Sequence, residues 1–221
     1  MVRHLVWDWN GTLFDDLVAV VASTSDSFVA LGHLPMTVEQ YRAQFTRPIQ
    51  DFYRKVLGRP LDDAEWRELD RVFHDRYRVH MLRCALAPDA RAAIDRWARG
   101  RRTQSLLSMW RHEELVALTE RLGIRAAFAR IDGLTGESGG RKVDSRVRHL
   151  AALDLDPADV ALVGDSIDDA DAATAVGARC VLYSGGNHRR ADLEATGLPV
   201  ADTLVQALEL LVTRVARPAG G

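Results

Sequence analysis

Four places along the chain carry residue types that suit phosphorus chemistry. The first is Asp8. It stands at the end of the apolar, β-favouring run Arg3-His4-Leu5-Val6-Trp7, and Gly11 breaks the extended pattern just after it. A carboxylate displayed at the carboxyl edge of a strand is placed where open α/β sheets bind ligands, and an aspartate there can act as a covalent nucleophile. The second is Ser108, closing the run Ser105-Leu106-Leu107-Ser108. A hydroxyl beside the backbone N–H groups of the next turn can hold a phosphate oxygen, although a serine after a strand is also an ordinary helix cap. The third is Lys142, which follows Gly139-Gly140-Arg141 and heads a helical pattern, where a cation is locally unfavourable. It could offset phosphate charge. The fourth is Gly164-Asp165-Ser166-Ile167-Asp168-Asp169. Carboxylates crowded on one turn repel unless a cation neutralises them, and an all-oxygen donor set suits Mg²⁺. Helix-start acids that complement the dipole account for Asp168 and Asp169 but not for Asp165.

The elements that must position these residues follow from periodicity and breakers. The pattern predicts helices over 16–31, 38–45 (capped by Thr37), 49–57, and from Asp62 or Asp63 to about Arg83, with no strand between. Beyond them it alternates: helix to Trp97, strand 103–108, helix 111–122, strand 129–132, a glycine-rich loop 133–140, helix 143–153, strand 159–163, helix 168–176, strand 179–183, and a last helix from Asp202. This predicts an α/β, Rossmann-like doubly wound parallel sheet, with a small all-helical domain inserted after the first strand. The expected division is a core of 1–15 and 85–215, an insert of 16–84, and a disordered tail of 216–221.

Composition excludes little but points one way. The 221 residues are 47% hydrophobic and 27% charged, with a formal net charge of −2. Neither nucleic acid nor a membrane surface is the expected partner. No apolar run reaches spanning length and no leader pattern precedes the first strand, so a cytoplasmic monomer or homodimer is expected. Cys84 and Cys180 fit no metal-ligand spacing and read as free thiols. His33, His74, His80 and His112 share no ligand spacing either.

In this order, Asp8…Gly11-Thr12, Ser108, Lys142 and Gly164-Asp165…Asp168-Asp169 resemble the four motifs of the haloacid dehalogenase-like superfamily. The overall plan is most similar to its phosphoglycolate phosphatase-like branch. The resemblance spans nearly the whole chain and implies that the helical insert is a cap. It also implies that Asp8 attacks phosphorus and becomes an aspartyl-phosphate. Gly11, Thr12, Ser108 and Lys142 would hold the phosphoryl group, with Lys142 also paired to Asp8. Mg²⁺ would be bound by Asp8, the main-chain carbonyl of Asn10, Asp165 and Asp169.

Position 10 departs from that pattern. The superfamily's phosphatases carry an aspartate two residues after the nucleophile, as general acid and base, and here it is Asn10. An amide has no titratable proton near neutral pH. A positioned acid–base group contributes roughly a hundred- to ten-thousandfold in rate, so hydrolysis is expected to be slow or restricted to good leaving groups. Two alternatives follow: a phosphate-binding regulatory protein of reduced turnover, or carbon–phosphorus or carbon–halogen cleavage. The acid cluster disfavours a metal-free dehalogenase, and a phosphonatase would need Lys55, the one lysine of the insert, as a Schiff base. Arg47, in an insert loop, is a candidate for meeting a substrate anion. Trp9 and Trp110 are candidates for walling the pocket or for core packing.

Overall fold

The computed structural model describes residues 2–100, 102–135 and 142–213, apart from the side chains of Lys142, Val143 and Thr213. Its main sheet has six parallel strands in the order β5-β4-β1-β6-β7-β8: β1 His4–Trp7, β4 Thr103–Arg111, β5 Arg130–Leu134, β6 Val160–Gly164, β7 Arg179–Tyr183 and β8 Val200–Ala201. The chain builds one half outward from β1 through β4 and β5, then returns to the other side of β1 through β6 and β7. The order therefore reverses between β1 and β6, the point at which such sheets bind ligands. Leu5, Val6 and Trp7 are all fully buried. Leu5 and Trp7 join one apolar cluster and Val6 the other, as expected for a strand covered on both faces.

Helices α5 (Ala90–Ala98), α6 (His112–Arg121), α7 (Lys142–Ala152), α8 (Ile167–Val176), α9 (Arg190–Glu194) and α10 (Leu204–Thr213) complete this α/β unit. Between β1 and α5 lie α1 (Leu17–Ala30), α2 (Val38–Gln44), α3 (Ile49–Leu57) and α4 (Asp63–His80), the expected helical insert. They share an apolar cluster of their own, including Leu17, Val21, Phe28, Tyr41, Phe52 and Leu69. Capping explains the local starts. Thr37 and Gln40 form a reciprocal capping box, as do Asp62 and Glu65.

Three features differ from the sequence expectation. Phe14–Asp15 (β2) and Ala85–Leu86 (β3) pair as an antiparallel ribbon at the two ends of the insert, where no strand was expected; two residues are too few to display a period. The strand expected to end at Ser108 runs on to Arg111, and its pairing with β5 is irregular between Leu107 and Arg111. Ser108 thus sits in a bulged stretch beyond the last β1 partner, Leu106. The short α9 and β8 carry too little pattern to register. The 136–140 part of the expected glycine-rich loop and the 216–221 tail lie outside the described residues.

A buried hydrogen-bond chain ties α7 to the sheet. Thr103 Oγ1, His4, Ser105 Oγ and His149 are joined in sequence at 2.7 Å each, and His149 Nδ1 meets Asp132 Oδ2 at 2.7 Å. One direction satisfies every atom with both rings neutral: His149 donates to Asp132, Ser105 donates to His149, His4 donates to Ser105, and Thr103 donates to His4. Ser105 and His149 are fully buried, so this Ser–His–Asp series is a cross-brace and not a site open to substrate.

Candidate active site

Asp8 leaves β1 at the switch point and Asp165 leaves β6 beside it. Asp169 lies in the first turn of α8. Carboxylate oxygens of the three residues lie within 4.8 Å of one another, and all three side chains are buried. Two hydroxyls shape the cluster. Thr12 Oγ1 lies 3.3 Å from Asp8 Oδ2 and 3.5 Å from Asp165 Oδ1. Ser166 Oγ donates to Asp169 Oδ2 at 2.6 Å and accepts from the Asp169 N–H, so the capping box that starts α8 also aims Asp169. Glycines make the close approach possible. A Cβ on Gly11 or Gly186 would overlap the Asp165 carboxylate, and one on Gly164 would overlap Asp169. Gly11 also sits at φ +71°, in the left-handed region that favours glycine.

Arg146, fully buried on α7, reaches Asp169 Oδ1 at 3.3 Å, with both side chains only 1% exposed. Sequence reasoning passed over it. Its signal was spacing: it lies four residues after Lys142, on the same helical face. Lys142 heads α7 as expected, but its side chain lies outside the described residues. Asn187 was also missed. Its main-chain N–H and side-chain amide both donate to Asp165 Oδ2, at 2.6 and 2.8 Å. Buried carboxylates that are close together and all-oxygen form a donor set that fits a hard divalent cation such as Mg²⁺.

The Asn10 side chain finds its partners outside the three carboxylates. Its Nδ2 donates to Asp16 Oδ2 at 2.7 Å and to the Tyr77 hydroxyl at 2.8 Å, while its Oδ1 accepts from Ser108 Oγ at 3.3 Å. Ser108 Oγ in turn accepts from the Trp110 N–H at 3.0 Å, so the bulge in β4 fixes the serine. Asp16 also accepts from the Tyr77 hydroxyl and from the Gly11 N–H. Burial pushes its carboxyl up to about 6, against the opposing pull of the donors Tyr77, Asn10 and Gly11. Burial, and then Asp16, hold the Tyr77 hydroxyl above its ordinary range.

The insert closes against the loop that follows β7. Arg42 donates to the carbonyls of Gly185 and Gly186 at 2.8 Å, and the Tyr41 hydroxyl lies 3.3 Å from Asn187 Oδ1. Phe45 meets His188 edge to face at 4.9 Å. Arg47 pairs with Asp168 at 3.5 Å, at the rim of the acid cluster. Trp9 is fully buried and stacked on Phe14, and Trp110 packs on Tyr77 at 4.9 Å; both belong to the main apolar cluster. His80 pairs with Asp26 and His74 with Asp70, away from the acids. Among the described residues no helix is long and apolar enough to cross a membrane.

Comparison with known proteins agrees with this geometry. Residues 144–207, from α7 into the first turn of α10, match the family described as HAD-hydrolase-like. Solved structures share the whole architecture. A haloacid dehalogenase-like family hydrolase from Streptococcus pneumoniae superposes with a TM-score of 0.82 at 17% identity, covering 95% of this chain and 98% of that one. A predicted phosphatase from Clostridium acetobutylicum gives 0.83 at 13% identity, covering 96% and 99%. The family match is thus confined to residues 144–207, while the fold of the whole chain is similar to that of solved haloacid dehalogenase-like hydrolases. In sequence its similarity is to phosphatases: it is 28% identical to the phosphoglycolate phosphatase of Pseudomonas putida, over 99% of this chain and 82% of that protein.

Proposed function

We propose that this protein hydrolyses a small phosphorylated metabolite through an aspartyl-phosphate on Asp8. The observation that carries the reading is the buried Asp8–Asp165–Asp169 cluster at the switch point, with Asp8 at the end of the first strand. Asp8, Asp165, Asp169 and the main-chain carbonyl of Asn10 would hold Mg²⁺. When bound, that ion would supply charge neutralisation for the transferring phosphoryl group. Asp8 would supply the nucleophilic oxygen. Ser108 and Lys142 would hold the phosphoryl oxygens, and Arg146 and Asn187 would keep Asp169 and Asp165 in place. The insert, seated on the loop after β7, would exclude water and favour small substrates over macromolecules. Gly11, with Thr12 behind the carboxylates, shapes the floor, and Arg47 stands where a substrate anion would enter.

The relatives named phosphoglycolate phosphatase make phosphoglycolate the first substrate to try. Phosphate release from it and from p-nitrophenyl phosphate should require Mg²⁺, should stop on chelation, and should be lost in Asp8→Asn. No release across a broad phosphometabolite panel would overturn the reading. A second reading, a regulatory protein that binds phosphate with little turnover, draws on one observation: both Asn10 amide hydrogens already have partners. Saturable phosphate binding without turnover would favour it.

A further inference from the structure

Asn10 can face its surroundings as a hydrogen-bond donor or as an acceptor, and its neighbours decide which. An ionised carboxylate only accepts, so the atom turned to Asp16 must be the amide nitrogen. One Nδ2 hydrogen goes to Asp16 Oδ2. The other goes to the Tyr77 oxygen, whose own proton is donated to Asp16. No amide hydrogen is left over. Oδ1 therefore faces Ser108, takes one hydrogen bond there, and keeps a second lone pair. The clamp is rigid. Asp16 is 1% exposed and Tyr77 2%. Although Tyr77 stands on α4 of the insert, its ring packs in the apolar cluster of the main sheet, stacked on Phe73 and edge-on to Trp110.

We infer that Tyr77 and Asp16 are positioning residues that lock Asn10 with its carbonyl oxygen toward the reaction centre, where it orients the water that hydrolyses the Asp8 phosphate. This rests on the hydrolase reading above. In the step, the water oxygen bonds to phosphorus while the bond from phosphorus to the Asp8 oxygen breaks. Asp8 leaves as carboxylate and the water proton departs on the phosphate product. Asn10 accepts a hydrogen bond from the water and takes no proton. The locked amide has nothing to donate to a leaving group, so it serves the second half-reaction and not the first.

Tyr77→Phe removes one hydroxyl and keeps the ring packing. Asp16→Asn sets a donor against Asn10 Nδ2 and tests the same clamp a second way. With p-nitrophenyl phosphate, either variant should show a nitrophenolate burst approaching one equivalent per site. Steady-state kcat should fall by roughly ten- to a hundredfold, and KM should fall with it, leaving kcat/KM near that of the unaltered protein. In an Asn10→Ala background Tyr77→Phe should add nothing further. The Asn10 side-chain amide resonance, identified by its loss in Asn10→Ala, should lose exchange protection in Tyr77→Phe. A proportional loss of kcat/KM without a burst, or an undiminished effect in the Asn10→Ala background, would overturn the inference while leaving the hydrolase reading intact. Absence of turnover by the unaltered protein would overturn both.

Discussion

Asn10 has both amide hydrogens engaged by Asp16 and Tyr77, so departure of a leaving group goes without a proton from this residue. Rates across a series of aryl phosphates should therefore fall steeply as the leaving group becomes more basic. Asn10→Asp would set a second carboxylate beside Asp16, and two such groups cannot both ionise easily, so one holds a proton near neutrality. That variant should flatten the series and raise turnover of poor leaving groups by roughly a hundredfold or more. Arg146 offers a different test at the same scale. It is sealed in with Asp169, and removing one partner of a buried ion pair is strongly destabilising. Arg146→Met should cost about 3–5 kcal/mol in urea unfolding.

Among the elements, β1, β4, β5 and α7 are joined by one buried hydrogen-bond chain. The His4–Ser105–His149 chain is satisfied with both rings neutral. Burial, then the neighbouring His149, lowers His4 to about 4, and burial lowers His149 despite Asp132. Both groups bind protons more readily when unfolded, at an ordinary value of about 6.5. Stability should thus be fully present above pH 6.5 and should be lost as pH falls from there toward 4. The urea midpoint followed across that window should fall, and His4→Gln should shallow the slope. Much of this level was legible in the sequence. Apolar runs bounded by breakers gave the strands, and Asp8, Ser108 and Asp165 lie at the ends or bulges of three neighbouring strands. What could not be read was tertiary. Tyr77 has the spacing of an ordinary apolar helix residue, Asp16 passes for a helix-start acid, and Asn187 lies in a loop whose partner is 22 positions away. The bulge carrying Ser108 depends on pairing with β5, which no local pattern encodes.

At the scale of the whole molecule, the insert and the sheet meet through apolar packing around Tyr77 and through polar contacts nearer the site. Arg42 holds two carbonyls of the loop after β7, and Arg47 holds Asp168, with both arginines exposed enough to be well solvated. A solvated ion pair such as Arg47–Asp168 contributes about 0–1 kcal/mol. Arg42→Ala and Arg47→Ala should therefore leave the melting temperature within a few degrees of the original, while raising KM for a small phosphorylated substrate severalfold, as initial-rate measurements would reveal. The ribbon of Phe14–Asp15 against Ala85–Leu86 has a further consequence. The chain departs for the insert and returns from it through one doorway, so the sequence within residues 17–80 can diverge without re-registering a single strand of the sheet, provided that residues such as Tyr77 keep their contacts with the core. On the proposed reading, most of the insert is thereby free to drift with substrate choice, while Tyr77 keeps one of its positions bound to the phosphorus chemistry.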